Sequence, residues 1–61
     1  VNTKLKQARE TSGKTQAEIA KAAEITTMSY FRYETGERLP KADIAIRIAR
    51  ELNSTVEKLF G

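Results

Sequence analysis

Apolar positions recur along the chain in short bursts at helical spacing, and most bursts are preceded by a residue able to cap a helix. Leu5 and Ala8 share the inward face of a first helix predicted from about Asn2 or Thr3 to Ser12, capped by Asn2 or Thr3 and ended by Gly13 in a left-handed conformation. Lys4, Lys6 and Lys14 are expected in water. Thr15-Gln16-Ala17-Glu18 fits a capping box, in which the threonine accepts from the amide three residues on and the glutamate reaches back. It opens a second helix with Ile19, Ala20 and Ala23 on its inner side. Thr26 caps a third helix through roughly Thr35, closed by Gly36, and only Glu24 and Ile25 lie between the two. Two short helices joined by so tight a turn predict a helix-turn-helix over about residues 15–35.

Pro40 places Glu37-Arg38-Leu39-Pro40 in a loop, because the residue before proline is pushed out of helical backbone angles. A fourth helix follows from about Lys41 to Leu52. Ala42, Ile44, Ala45, Ile46, Ile48, Ala49 and Leu52 cover most of its circumference, which predicts burial on more than one side, with Arg47, Arg50 and Glu51 wet. A last turn or two from Ser54 or Thr55 to Phe60 carries a Ser54 to Glu57 capping box and an apolar trio, Val56, Leu59 and Phe60. Eight alanines, three glycines and one proline complete an all-α composition without repeats or linkers.

Composition narrows the function mainly by what is missing. Sixty-one residues allow one small domain, here residues 1–61. Without cysteine there is no disulfide framework, thiolate metal site or cysteine nucleophile, and without histidine the usual general base and the commonest metal ligand are gone. No catalysis, metal or cofactor is expected, and the carboxylates are scattered. No apolar run approaches the roughly 20 residues of a membrane span, and a cytoplasmic setting is expected. The absent initiator methionine suggests trimming or a fragment. A net charge of +3 permits an anionic partner without requiring one.

The order Thr15-Gln16-Ala17-Glu18-Ile19-Ala20, Ile25-Thr26, Tyr30-Phe31-Arg32-Tyr33-Glu34-Thr35-Gly36-Glu37-Arg38, Pro40 and Ile48-Ala49-Arg50-Glu51-Leu52-Asn53 resembles the Xre family of Cro and phage-repressor type regulators over about Leu5 to Phe60. The resemblance implies a compact five-helix, lambda-repressor-like domain that binds double-stranded operator DNA, usually as a homodimer, and regulates transcription, most often as a repressor. It also implies that Arg9 of the first helix meets Glu34 at the end of the third as a structural ion pair, and that Gln16 contacts phosphate. Two positions depart from the family pattern. Glu24 stands where glycine is usual, so the turn either holds a non-glycine residue in left-handed backbone at a cost of roughly 1 kcal/mol or changes shape. Lys41 replaces a small hydroxyl cap.

Helical periodicity divides the third helix. With Tyr30 and Tyr33 inward, Thr27, Met28, Phe31 and Arg32 face outward and are the candidate base-contacting residues. Arg32 has the chemistry to donate two parallel bonds to guanine O6 and N7; a phosphate clamp or a solvated charge is the alternative use. Met28 and Phe31 suit thymine methyls, or packing on the domain. Gln16, Ser29, Arg38 and Lys41 are the candidate phosphate contacts. Lys6, Lys14, Lys21 and Lys58 are read as solvated. Leu59 and Phe60 suit either a dimer contact or the core. The rival reading is an antitoxin or antirepressor type of protein-interaction module on the same fold, for which an acidic or apolar third helix would be the signature.

Overall fold

Side-chain caps set where the helices begin. A computed structural model describes residues 1–61, which form α1 (Thr3–Ser12), α2 (Gln16–Ala22), α3 (Thr27–Thr35), α4 (Ala42–Glu51) and α5 (Val56–Phe60). The Asn2 Oδ1 accepts from the Leu5 amide at 3.0 Å and starts α1. The capping box of α2 is complete, the Glu18 amide donating to Thr15 Oγ1 at 3.1 Å and the Thr15 amide to Glu18 Oε1 at 2.8 Å. Thr26 Oγ1 accepts from the Ser29 amide at 3.1 Å and starts α3. Lys41 occupies the cap position of α4 and supplies no side-chain bond. Gly36 ends α3 at φ 82°, with Val1 so close that a Cβ there would lie 2.9 Å from the Val1 nitrogen.

Of the two starts its pattern allowed for the fifth helix, Ser54 and Thr55, the structure takes Thr55 as the cap. Asn53 takes φ 54° as the chain leaves α4. That register leaves Thr55, extended at φ −123°, as the cap accepting from the Lys58 amide at 3.1 Å. The third residue after this cap is a lysine, so no reciprocal box between Ser54 and Glu57 forms.

Leu5, Ile19, Tyr30 and Ile48 are fully buried, and Ala20, Ala23, Tyr33, Ala49, Leu52 and Leu59 complete the core around them. Burying each of the three aliphatic chains stabilises by about 1.5–3 kcal/mol. α2 packs on α3 and α4, α1 on α5 and α3, and α4 on α5. The molecule measures 23 × 22 × 20 Å, and no helix is long and apolar enough to cross a membrane. So thin a fold has no layer beyond α4. That helix buries Ala45, Ile48 and Ala49, with Leu52 at its cap, while Ala42 faces solvent and Ile46 is 43% exposed. The expectation of burial on more than one side is therefore corrected to a single inward stripe.

Two charged residues assigned to water have partners. Lys14 Nζ donates to the Glu51 carbonyl at 3.1 Å and contacts its carboxylate, placing a cation where the C-terminal carbonyls of α4 concentrate negative charge. Arg47 reaches from α4 to the turn between α2 and α3, 3.5 Å from the Ala23 carbonyl and 3.8 Å from the Glu24 carboxylate. Glu24 itself takes φ 61°, so the turn keeps the geometry that glycine would adopt and the side chain bears the strain. The Arg47 pair is largely exposed and offsets little of that cost. Glu24→Gly is accordingly expected to raise stability by about 0.5–1 kcal/mol in urea unfolding; an equal loss would mean that the Arg47 contact outweighs the strain.

Candidate nucleic-acid interface

The amino half of α3 is exposed on the side away from the core. Thr27 is exposed, Met28 is 56% and Phe31 46% exposed, and the Arg32 side chain is 40% exposed. These four form one outward face because Tyr30, Tyr33 and Glu34 turn inward at the helical spacing that opposes them. Ser29 is half-buried, and its Oγ accepts from Thr26 Oγ1 at 2.9 Å, tying it to the cap of the helix. Phe31 lines a shallow cleft with Lys6, Gln16 and Thr35 above the Arg9 and Glu34 side chains.

Glu34 is the only carboxylate on α3 and is 5% exposed. Arg9 grips it with both arms of a fork, Nε to Oε2 at 2.6 Å and Nη2 to Oε1 at 3.3 Å, while Nη1 donates to the Lys14 carbonyl at 3.2 Å. Gln16 Nε2 donates to Oε1 at 3.0 Å. One carboxylate thus joins the last turn of α3 to α1 and to the first residue of α2. Burial pushes the Glu34 carboxyl up, but the bonds from Arg9 and Gln16 and the Arg9 charge outweigh it and hold it below the usual glutamate value. Glu34's hydrogen bond in turn raises Arg9 above the ordinary guanidinium value. The buried Tyr30 hydroxyl close by meets no acceptor at hydrogen-bonding geometry, and burial keeps it neutral.

Beyond Gly36 the chain runs along the end of α3. The Arg32 carbonyl accepts from the Glu37 amide at 3.0 Å, the Arg38 amide at 3.3 Å and Thr35 Oγ1 at 3.0 Å. Arg38 is exposed there and Lys41 is exposed at the cap of α4, and Glu37 Oε2 lies 3.4 Å from Arg32 Nε. Sequence reasoning assigned no role to Glu37 or Arg47. Glu37 follows Arg32 by five positions across a left-handed glycine, where helical pairing rules no longer apply. Arg47 lies 24 residues from its acceptor, with no local signal to join them.

Five helices about one core, the second and third forming a helix-turn-helix with an exposed, acid-free outer face, define a helix-turn-helix domain of the lambda-repressor-like type. The chain matches the Helix-turn-helix family over residues 5–59 and belongs to that family, in its Cro and phage-repressor type. It is 34% identical, over all of its 61 residues, to the cryptic phage CTXphi transcriptional repressor RstR of Vibrio cholerae serotype O1 (strain ATCC 39315 / El Tor Inaba N16961), and covers 54% of that protein. The chain therefore spans about half the length of this curated relative. No solved structure matches it.

Proposed function

We propose that the chain is the sequence-specific DNA-binding domain of a transcriptional repressor, acting without catalysis, and that α3 reads operator DNA through the major groove. The observation that carries this reading is the fate of the sole carboxylate on α3. Glu34 is turned inward and bound by Arg9, so α3 itself presents hydroxyl, thioether, aromatic and guanidinium groups outward, and the one carboxylate against that face is Glu37 of the following loop, 3.4 Å from Arg32 Nε. The same ion pair holds the helix rigid against α1, which limits the ordering cost of docking. Family membership and the likeness to a named repressor support the reading. An antitoxin or antirepressor type of module would want an acidic or apolar outer face on α3, which Arg32 and Thr27 do not provide.

On this reading Thr27, Met28, Phe31 and Arg32 contact bases, and Gln16, Ser29, Arg38 and Lys41 contact phosphates. Gln16 has two amide hydrogens, so one can stay on Glu34 while the other reaches a phosphate oxygen. Two copies on a two-fold axis would place their α3 helices about 34 Å apart for successive grooves. In vitro selection from random duplexes, followed by titration across salt, tests the proposal. A selected motif whose affinity falls steeply with salt supports it; no enriched motif, or salt-independent binding, overturns it. Arg32→Ala is expected to lose about 1–3 kcal/mol of discrimination at one base pair, whereas Lys41→Ala should weaken all duplexes alike and reduce the salt slope by about 1. Binding isotherms on single-base variants of the selected site separate the two.

A further inference from the structure

We propose that Glu37 is a positioning residue for specificity: its carboxylate braces the Nε edge of Arg32 and discourages that arginine from settling on phosphate. The inference rests on the DNA-reading role of α3. The backbone of Glu37 is fixed against the end of α3. The Arg32 carbonyl accepts from the amides of Glu37 and Arg38 and from the Thr35 hydroxyl, and Thr35 Oγ1 also accepts from the Glu37 amide at 3.4 Å. The backbone of Glu37 is thereby anchored to the very residue whose guanidinium its carboxylate meets, 3.4 Å from Nε.

The edge that is met matters. Guanine O6 and N7 are recognised by the terminal Nη1 and Nη2 fork, and a carboxylate on the Nε side leaves that fork to the base while restricting rotation of the guanidinium. Glu37 is 67% exposed and Arg32 40%, so the pair adds little to folding and is open to solvent and to DNA. Phosphate offers Arg32 a contact that any sequence can supply. A carboxylate within one Debye length, about 8 Å at physiological salt, repels a charged phosphate more than the uncharged edge of guanine, so it penalises the phosphate contact of Arg32 more than the base contact. Glu37 also precedes Arg38 in the chain, so loss of its charge would leave Arg38 and Lys41 as the only charged side chains between Gly36 and α4.

The test uses a duplex selected by the wild-type chain and a scrambled duplex of equal length, with dissociation constants measured for the wild type, Glu37→Gln, Arg32→Ala and the double variant. Glu37→Gln should keep the wild-type unfolding midpoint, bind the scrambled duplex about three-fold more tightly or better, and lower the ratio of selected to scrambled affinity about five- to ten-fold. With Arg32 already replaced, the same substitution should tighten both duplexes equally and leave the ratio unchanged. A ratio within two-fold of wild type for Glu37→Gln overturns the inference, as does an equal loss of ratio when Arg32 is absent, since Glu37 would then act only through net charge. If the wild-type chain selects no site at all, the DNA-reading role fails and this inference with it; a wild type that selects while Glu37→Gln keeps its ratio removes the role of Glu37 alone.

Discussion

Arg9→Met is expected to cost about 3 kcal/mol at pH 7, measured by urea unfolding, although it keeps the apolar stem of the side chain as far as the position of Nε. The loss arises from what stays behind. Glu34 is 5% exposed and would retain one donor, Gln16, in place of a bidentate charged partner. The Lys14 carbonyl loses its bond from Nη1 at the same time. Breaking a buried ion pair from one side costs about 3–5 kcal/mol, and the partial exposure of Arg9, 15% by side chain, places this pair at the lower end. Stabilities of about 0.05–0.15 kcal/mol per residue make that a third or more of the total for a chain this short. A loss below about 1 kcal/mol would show that the pair contributes no more than a surface contact.

The same pair determines how stability responds to acid. In the wild type the folded Glu34 carboxyl titrates below its unfolded value of about 4.3, so its contribution is full above that pH and is lost as pH falls through the lower folded value. Glu18, held below the usual glutamate range by the Thr15 amide and hydroxyl, acts in the same direction. Arg9 stays charged throughout this range, because its contribution would fade only above the ordinary guanidinium value. In Arg9→Met, burial still pushes the Glu34 carboxyl up while the Arg9 bonds and charge that held it down are gone, so the stability that Glu34 contributes above about pH 4.3 is expected to shrink. Unfolding midpoints of the two proteins at pH 3 and pH 7 should therefore lie closer together at the lower pH.

The capping residues of α1, α2 and α3 and the inward side of α3 were legible because they are local: a hydroxyl or amide, its spacing to the first amides, and a helical repeat settle them. The contacts that orient the elements were less so. Arg9 and Glu34 were joined in advance only through the family resemblance, since no spacing rule relates residues 25 apart. Lys14 looked like a solvated lysine until α4 brought Glu51 beside it. For α4 the apolar residues outnumber the buried positions, and only the absence of a further layer turns Ile46 outward. The outward face of α3 follows from periodicity, yet what braces Arg32 depends on a turn through left-handed Gly36, where periodicity stops.

Asn2 illustrates the same divide and carries the second large expected effect. Its spacing suggested a helix cap and nothing more, but its Nδ2 donates to the Leu59 carbonyl of α5 at 2.7 Å and its amide to the Glu34 carbonyl of α3 at 2.8 Å, while Oδ1 caps α1. One side chain thus joins the first helix to the last, across 57 positions in sequence. Asn2→Ala removes the cap, typically worth about 1 kcal/mol, and strips a partly buried carbonyl of its donor, about 1–3 kcal/mol more, so a total of about 2–4 kcal/mol is expected. Asn2→Ser separates the two parts, because serine caps a helix about as well but is too short to replace the amide bond to Leu59. It should recover about 1 kcal/mol of the loss. α5 has only five residues and packs its buried Leu59 against this junction, so in both variants its amides should exchange faster than those of α2. Equal stability of the serine variant and the wild type would show that the bond to Leu59 contributes nothing, and that α5 is held by Leu59 packing alone.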